Sequence, residues 1–456
     1  MQSWRKAAQL CFTAKVLAVA ELESSKTEGR PLWSHQNGYV SVLVWILDVV
    51  YGMICGMKNY PRIYQTIIES HLKDYRQMVF VSGPRQVGKT TVCEAVGTKY
   101  LSWDDEDVRR TIQAGQRAVS DKYAIESASE SGEVVVYDEI HKYSRWKQFL
   151  KGFYDLYGKR VRIVATGSAK MDVYKKGGDS MMGRYFPYRM HPLSVAELTD
   201  ISIPDERIVR TPKRLPDDEW AALLRFGGFP DPFVNRNTRF SRRWNSLRFD
   251  QLMTTDMRDL TRIAELDQIS ALAEILAHRS GEQLVYKSLG CDLGVDEKTA
   301  KKWVKALKYL YFGFEVRPWF KNVENSIRKM PKWYLRDWAN VQDEGKHAET
   351  FVACHLLKAV EGWTDLGYGE FSLCYIRDKS RREVDFVVTR DGSPWFLVEV
   401  KKGATHISES LRFFQEKLGA KHALQVVVDA EYGDYDCFSM SSPTVVSART
   451  FLSQLF

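Results

Sequence analysis

A glycine-rich octapeptide constrains this chain more than any other stretch. Gly83-Pro84-Arg85-Gln86-Val87-Gly88-Lys89-Thr90 follows an apolar run at residues 78–81 and leads into a helix-compatible stretch that starts at Thr91. A phosphate-binding loop requires this order of strand, turn and helix, because backbone N–H groups and the positive helix end then point at one place. Lys89 adds a positive charge for the β- and γ-phosphates, and Thr90 offers a hydroxyl to Mg²⁺. We therefore expect residues 83–91 to bind ATP with Mg²⁺.

The composition is that of a globular protein with several cores. A length of 456 residues corresponds to about three domains at ~150 residues each. The net charge of +8, from 66 basic and 58 acidic residues, suits a polyanionic partner only where the charge is clustered. The seven cysteines are scattered without the spacing of a zinc site. This pattern predicts a reducing, cytoplasmic location and no structural metal.

The first 56 residues fit poorly with the rest of the chain. Residues 39–56 are apolar enough and long enough for a transmembrane helix to be considered. Asp48 near the middle, many β-branched residues and the lack of a cleavable signal pattern argue against one. The sequence favours an appendage that precedes Met57 and no stable membrane association, with a membrane anchor as the open alternative.

Residues 133–140 (EVVVYDEI) carry a second signature of phosphate chemistry. Successive apolar residues suit a strand buried on both faces of a parallel sheet, which delivers Asp138 and Glu139 to the carboxyl edge, where ligands bind. We expect Asp138 to hold Mg²⁺ together with Thr90, and Glu139 to act as general base toward the attacking water. An acid pair alone is a weak signal, but its position downstream of a phosphate-binding loop makes it strong.

Two further positions are candidates for the nucleotide site. Thr166-Gly167-Ser168 follows a strand at residues 161–165, and a hydroxyl there could bond the attacking water or the γ-phosphate. We favour Ser168 over Thr166, with an ordinary turn as the alternative. Arg184 precedes the next strand and is a candidate to neutralise charge in the transition state, although surface arginines are common in this chain.

Several segments resemble one family. GPRQVGKTT, VVVYDEIHK, the ATGS turn and GGFPDPF are similar to prokaryotic AAA-type P-loop ATPases that carry a winged helix and a restriction-endonuclease-like domain of unknown role. The resemblance covers Met57 to nearly the end of the chain. It implies an α/β fold, in which a parallel sheet has an extra strand between the loop strand and the acid-pair strand, followed by a small helical lid.

The middle of the chain is expected to be helical. We assign residues 191–245 to the lid over the nucleotide, with Gly227-Gly228 as a hinge or an ordinary helix stop. Residues 282–320 have the pattern of a winged helix: a helix ending at Gly290, a short turn, and a second helix from Glu297 that is capped by Asp296. The second helix presents lysines that could meet DNA phosphates, or it could serve as a protein-binding module. These lysines are Lys298, Lys301, Lys302, Lys305 and Lys308.

The last domain contains a second candidate site. Residues 382–389 alternate in polarity, turn at Asp391-Gly392 and return through residues 395–401, which places Asp385 beside Glu399 and Lys401. Two carboxylates and a lysine suit Mg²⁺-dependent phosphodiester cleavage, in which the acids hold the metal and the lysine activates the water. This segment resembles the PD-(D/E)xK nuclease core, in which Glu349 matches an additional upstream acid at the metal.

Two functions stay open. In the first, ATP hydrolysis moves the lid and the winged helix and presents DNA or RNA to a nuclease site. In the second, the ATPase is a switch, and the nuclease-like domain is an inactive module that docks a protein or nucleic acid. A homo-oligomer is compatible with either. The predicted parts are an appendage (1–56), the ATPase domain (57–190), the lid (191–245), a helical and winged-helix domain (246–322) and the nuclease-like domain (323–456).

Overall fold

The computed structural model describes residues 60–126, 132–167, 181–257, 266–320, 330–403 and 406–456. They belong to one compact unit, Tyr60–Phe456. The predicted appendage and the apolar stretch at residues 39–56 lie outside the described residues. Within the described ranges, none of the helices combines the length and the apolar character that crossing a membrane demands.

The first sheet is parallel and has five strands in the order β2-β3-β4-β1-β5. Strand β4 lies between β1, which leads into the glycine-rich loop, and β3, which ends in Asp138, so the predicted extra strand is confirmed. All residues of β1 and β3 are buried, because helices cover both faces of the sheet. The strands are β1 (Met78–Ser82), β2 (Lys99–Ser102), β3 (Val134–Asp138), β4 (Arg162–Gly167) and β5 (Tyr185–Arg189).

Two apolar clusters hold this sheet between its helices. One face packs against α1 and α2, and the other packs against α3, α4 and the aromatic side of α5. On α5 the buried residues Trp146, Phe149 and Phe153 recur at helical spacing, so one stripe of the helix faces the strands. The helices are α1 (Ile63–Asp74), α2 (Lys89–Val96), α3 (Glu106–Ala114), α4 (Gln116–Lys122) and α5 (Trp146–Tyr157).

The segment predicted as a lid packs firmly against its surroundings. Ser194 Oγ donates to the carbonyl of Phe456 at 2.8 Å, and Leu193 N donates to Gly228 O at 2.7 Å. Gly227 ends α7 with φ +83°, and a Cβ on Gly228 would lie 2.6 Å from Leu193 O. The glycine pair thus serves a helix stop and a close packing contact, which favours the second of the two predicted roles. The helices are α6 (Val195–Thr199), α7 (Asp217–Phe226), α8 (Pro230–Asn235) and α9 (Thr238–Gln251).

Two helices joined by a short turn come next, and an antiparallel strand pair follows them. Asp296 caps the second helix as predicted, because its Oδ1 accepts from Lys298 N at 2.8 Å and from Thr299 N at 3.0 Å. The first helix runs past Gly290, its predicted end, and stops at Gly294, whose φ is +67°. A π-helical turn, Leu252–Asp256, continues α9. The other elements are α10 (Leu266–His278), α11 (Tyr286–Leu293), α12 (Glu297–Tyr309), β6 (Gly313–Pro318) and β7 (Lys332–Leu335).

The second sheet is mixed and has seven strands in the order β12-β11-β10-β9-β8-β6-β7. The predicted hairpin forms between β9 and β10, and its turn residues Asp391 and Gly392 have φ of +51° and +79°, as a type I′ turn requires. Because β6 pairs with both β7 and β8, the predicted domain limit at residue 322 falls between two strands of one sheet. The remaining strands are β8 (Phe371–Arg377), β9 (Glu383–Arg390), β10 (Ser393–Lys401), β11 (His422–Val427) and β12 (Thr444–Ser447).

A long helix, α13 (Glu344–Asp365), joins the two sheets. Its buried side covers one face of the second sheet, while α14 (Glu409–Leu418) covers the other and α15 (Ala448–Ser453) closes the end. Toward the first sheet, Asp365 lies 2.6 Å from Arg189 and Glu361 lies 2.7 Å from His191. One helix therefore contributes to the cores of both parts.

Candidate functional site

Both glycines of the loop have a steric reason. Gly83 follows β1, and a Cβ there would lie 2.4 Å from the carbonyl oxygen of Met190. Gly88 precedes α2 with φ +97°, a conformation that glycine adopts without strain. The loop therefore turns tightly from the strand into the helix, and the N-terminus of α2 lines the cleft above the loop.

Lys89 is folded onto its own loop. Its Nζ donates to Gly83 O at 3.0 Å and to Pro84 O at 2.8 Å, and the residue is 7% exposed. Burial lowers the pKa of Lys89, against the opposing effect of the carboxylates of Glu139 and Asp138. The ammonium is thus poorly solvated and held by two carbonyls that an anionic ligand could replace.

Thr90 and Asp138, the two predicted Mg²⁺ ligands, are in contact. Thr90 Oγ1 donates to Asp138 Oδ2 at 3.3 Å, and the hydroxyls of Tyr100 and Thr166 also donate to this carboxylate. Neutral hydroxyls thus fix Asp138 without neutralising it. These oxygens fit a Mg²⁺ ion in chemistry, since hard anionic and hydroxyl oxygens are its preferred protein ligands.

Glu139 stands at the carboxyl edge beside Asp138 in an unusual backbone conformation. Its φ is +53°, and its N–H donates to Thr166 Oγ1 at 3.1 Å. Its Oε2 lies 3.4 Å from Lys142 Nζ and 3.8 Å from His141 Nε2. A strained non-glycine residue held by such contacts is typical of functional positions.

Sequence reasoning missed part of this arrangement. No local sequence pattern marks Tyr100 or Lys142 as part of the site, and the sequence favours Ser168 over Thr166 as the hydroxyl near the γ-phosphate. Ser168 lies outside the described residues, so its predicted role stays a prediction. The contacts of Thr166 with both acids depend on β4 lying beside β3, a consequence of the strand order.

An open cleft of about 420 Å³ lies over the loop. Part of its wall comes from Pro230 and Asp231, which belong to the segment predicted as a lid, and from Gln251, which follows that segment. Arg85 in the loop forms a 2.6 Å ion pair with Asp256, which ties the loop to the π-helical turn. The loop residues that line the cleft are Arg85, Gln86, Gly88, Lys89, Thr90 and Thr91.

Arg184 is placed away from this cleft. It immediately precedes β5, whose first residue, Tyr185, pairs with Met78 at the amino end of β1. Its side chain forms a 2.9 Å ion pair with Asp155. The amino ends of parallel strands lie at the edge opposite the loop, so the structure gives no support to Arg184 acting on a nucleotide in its own subunit. A role toward a neighbouring subunit stays a prediction.

In the second sheet, the predicted residues of the hairpin come together. Asp385 Oδ2 accepts from Val400 N at 2.9 Å, and Lys401 Nζ lies 2.8 Å from Glu399 Oε1. Burial, with the nearby charges of Glu349 and Glu399, raises the pKa of Asp385 well above its ordinary value. Glu349 on α13 lies in the same acid cluster, because one ammonium, that of Lys332, is 3.1 Å from Glu349 and 3.8 Å from Asp385.

Lys332 on β7 is a member of this cluster that the sequence did not reveal. Its Nζ lies 2.6 Å from Glu383 Oε1, 3.1 Å from Glu349 Oε1 and 3.8 Å from Asp385 Oδ1, and the residue is 5% exposed. Burial alone would lower the pKa of Lys332, but the carboxylates raise it above its ordinary value. Tyr334, two residues further on, donates to Glu349 Oε1 at 2.5 Å.

The structure contains observations both for and against a metal ion at this acid cluster. Across the part of the chain that the structure describes, no group of three or more His, Cys, Asp or Glu side chains is arranged to hold a metal ion. However, Glu399 Oε2 is buried without a hydrogen-bond partner, and burial raises the pKa of this carboxyl. A buried carboxylate oxygen in need of a partner fits a cation in chemistry. In the present arrangement, Lys332 and Lys401 supply positive charge to the acids.

Three known domain families match parts of the chain between residues 75 and 445. The AAA domain family matches residues 75–199, and two domains of unknown function, DUF8612 and DUF4143, match residues 217–341 and 344–445. The strand order, the loop and the acid pair agree with the first match. The match and these features support an AAA-type P-loop fold for residues 75–199.

Two uncharacterized proteins are similar over a longer range. Rv2008c of Mycobacterium tuberculosis and Mb2031c of Mycobacterium bovis are each 25% identical over 347 residues, which is 74% of this chain and 73% of the relative. Among solved structures, Aeropyrum pernix ORC1 in complex with DNA is 14% identical and covers 64% of this chain and 91% of its own, with a TM-score of 0.28. AMPPCP-bound DnaA from Aquifex aeolicus is 11% identical and covers 53% and 86%, with a TM-score of 0.26. Scores this low carry no functional argument.

Proposed function

We propose that this chain binds ATP with Mg²⁺ and hydrolyses it at the glycine-rich loop. The observation that carries the proposal is the 3.3 Å contact between Thr90 and Asp138 beside the buried Lys89. The hydroxyl, the carboxylate and the ammonium that ATP chemistry needs thus lie together at one edge of the sheet.

Each residue has a role in this proposal. The N–H groups of the loop and of the N-terminus of α2 surround the phosphates, and Lys89 exchanges its two carbonyl partners for phosphate oxygens. Thr90 and Asp138 would hold Mg²⁺, which when bound would offset charge on the phosphates. Glu139 accepts the proton of the attacking water, and its contact with Lys142 fixes the carboxylate until the nucleotide is in place.

The test is an ATPase assay combined with nucleotide binding. Lys89→Ala is expected to lose binding, whereas Glu139→Gln keeps binding and loses turnover. Lys302→Ala, on the exposed side of α12, is the matched control for a removed lysine. Turnover by Lys89→Ala at the wild-type rate contradicts the proposal.

A second candidate function is Mg²⁺-dependent cleavage of a phosphodiester at Asp385, Glu399 and Lys401. The unpartnered Glu399 Oε2 favours it. Glu349, Asp385 and Glu399 would hold the metal, which when bound polarises the phosphate. Lys401, 2.8 Å from Glu399, orients the water and offsets charge on the phosphate. DNA and RNA are both open as substrates.

The alternative is that this domain binds nucleic acid or protein without cutting it. The ion pairs of Lys332 favour this alternative. Its ammonium already balances the negative charge of Glu349, Glu383 and Asp385, so these carboxylates do not require a metal ion. Incubation of plasmid, single-stranded DNA or RNA with Mg²⁺ or Mn²⁺ separates the two. Cleavage that disappears in both Glu399→Ala and Lys401→Ala supports the nuclease, and no cleavage of any substrate leaves the binding module.

The middle of the chain fits into this proposal as a transmitting part. We assign residues 191–245 to a cap over the nucleotide, and the unit from α11 through β7 to a winged helix. Lys298, Lys301, Lys302 and Lys305 are exposed on α12 and suit a nucleic-acid or protein partner. A homo-oligomer, in which Arg184 would act across subunits, is tested by size-exclusion chromatography with and without a nucleotide analogue.

A further inference from the structure

A groove of about 460 Å³ lies between the β8–β9 turn and α14. One wall is the end of β6 and β8, with Trp319, Phe320 and Ile376, and the other is α14, with Phe414 and Lys417. The backbone of Trp319 is fixed in this wall because its backbone N–H donates to Tyr375 O at 2.7 Å. This bond extends the pairing of β6 with β8. The groove therefore stands on rigid elements.

The rim of the groove is basic. Lys379 and Lys417 are exposed on opposite sides of it, and Arg377 is partly exposed. The acidic residue of the rim, Asp378, has its carboxylate committed to the turn, since it lies 2.7 Å from Arg382 Nη2 and accepts from Arg382 N at 3.0 Å. The positive charges of Lys379 and Lys417 are thus available to an anionic ligand.

The wall formed by the end of β6 is aromatic. Trp319 and Phe320 are half-buried, so part of each ring faces the open space. Beside the groove, the guanidinium of Arg382 lies 3.5 Å from the ring centre of Phe413, and the ammonium of Lys417 lies 5.3 Å from it. Aromatic rings interleaved with cations are what a protein uses to stack bases and bind the phosphates between them.

The groove reaches the acid cluster through one chain of ion pairs. Arg377 Nη1 lies 3.3 Å from Glu383 Oε2, and the other oxygen of Glu383 lies 2.6 Å from Lys332 Nζ. Lys332 is in turn paired with Glu349 and Asp385. These ion pairs connect the rim of the groove with the carboxylates of the candidate nuclease site.

We propose that this groove binds a single-stranded segment of nucleic acid and directs it to the acid cluster. The bases stack on Trp319 and Phe320, and the phosphates meet Arg377, Lys379 and Lys417. A duplex cannot use the rings, because its bases are already stacked on one another. Binding itself does not require cleavage; only the purpose of directing the strand rests on the second candidate function.

The test measures binding to the full-length protein in EDTA, where no metal-dependent cleavage occurs. Fluorescein-labelled oligo-dT, oligo-U and a duplex of the same length are followed by fluorescence anisotropy. We expect the single strands to bind more tightly than the duplex, and Lys379→Glu/Lys417→Glu to weaken them by at least about tenfold. Trp319→Leu is expected to weaken them by about fivefold or more through lost stacking.

The matched control is Lys73→Glu/Lys159→Glu, which makes the same change of charge at exposed lysines away from the groove and from α12 and is expected to leave single-strand binding within about twofold. Lys298→Glu/Lys302→Glu, on α12, tests the other basic surface. The proposal is overturned if the wild type binds neither oligomer, if the groove variants bind as the wild type does, or if only the α12 variant loses binding. Binding of poly-glutamate with the same sensitivity to the groove variants also overturns it in favour of an acidic peptide.

Failure of the nuclease has a different signature. If the single strands bind with the expected sensitivity but stay intact after Mg²⁺ or Mn²⁺ is added, the groove is supported and the nuclease function is lost. If the strands are cut and Lys379→Glu/Lys417→Glu cuts them as the wild type does, the groove is wrong and the nuclease stands. Retention of the thermal unfolding transition shows in each case that the variants are folded.

Discussion

Glu197 and Lys358 form an ion pair of 2.5 Å in which the two side chains are 0% and 2% exposed. Arg62 completes the group, since its Nε lies 2.8 Å from Glu197 and its Nη1 donates to Val87 O at 2.5 Å. Val87 belongs to the glycine-rich loop and Lys358 to α13. A single buried carboxylate therefore connects the backbone of the nucleotide site with the helix that carries Glu349.

Removal of this carboxylate should be costly. Glu197→Gln leaves the cations of Arg62 and Lys358 buried without compensation, and we expect a loss of about 3–5 kcal/mol in the free energy of unfolding. Lys402→Met, which removes an ammonium from an exposed pair with Glu344, should change the free energy of unfolding little, because water screens this pair. Denaturant unfolding measures both. A Glu197→Gln variant as stable as the control would show that the network does not hold the two parts together.

His355 should make stability depend on pH. Its Nδ1–H donates to Phe351 O at 2.8 Å and its Nε2 accepts from Val195 N at 3.2 Å, an arrangement that requires the neutral ring. Burial lowers its pKa to about 3. Because the unfolded chain takes up this proton below pH ~6.5 and the folded chain does not, stability falls as the pH is lowered from ~6.5 toward 3, by about 2 kcal/mol at pH 5.

The check is the unfolding free energy at pH 7 and pH 5. His355→Gln should lose this part of the difference between the two values, because glutamine takes up no proton. His278→Gln, at an exposed position, is the control and should keep the difference. The same difference between pH 7 and pH 5 in the wild type, His355→Gln and His278→Gln would contradict the assignment of this pH dependence to His355.

Thr166 should matter to turnover more than to binding. Its hydroxyl donates to Asp138 and accepts from Glu139 N, so it positions both the metal ligand and the general base. We expect Thr166→Val to lower ATP turnover by about 10- to 100-fold, the usual effect of removing a residue that orients a metal ligand. Nucleotide affinity should change little. Thr111→Val, at a half-buried position on α3, is the control, and a large loss of affinity without a loss of turnover would refute this role.

Lys332 should oppose cation binding at the acid cluster. Lys332→Met removes the ammonium from among Glu349, Glu383 and Asp385, and we expect Mn²⁺ to bind at least about tenfold more tightly because their repulsion is then relieved by the metal. Calorimetric titration measures this affinity.

A second variant guards against misfolding. Lys332→Met/Glu383→Gln removes one charge of each sign and should fold where the single variant does not. In either background, Glu399→Gln should abolish the gain. Mn²⁺ affinity that is the same with and without Lys332 would rule out competition between the ammonium and the metal.

Local signals explain what the sequence could predict. The loop at residues 83–90, the Asp296 cap and the Asp391-Gly392 turn each depend on a few neighbouring residues, and the structure has all three. Thr166 and Lys332 reach their partners only because distant strands become neighbours, and no local pattern carries that information. Arg184 is instructive in another way: the rule that places Asp138 at the carboxyl edge also places a residue before a parallel strand at the opposite edge.

Helix α13 has 22 residues and spans about 33 Å at 1.5 Å per residue. Its start coincides with the junction of two matched families, at residues 341 and 344, yet its far end satisfies Arg189 and His191 in the ATPase part. The boundary between the two matched ranges is therefore not a boundary between separately packed parts of the structure. A fragment cut at residue 343 would leave buried charges without partners on both pieces, for example Arg189 on one piece and Asp365 on the other. Each piece therefore needs the other to keep these charges both buried and paired.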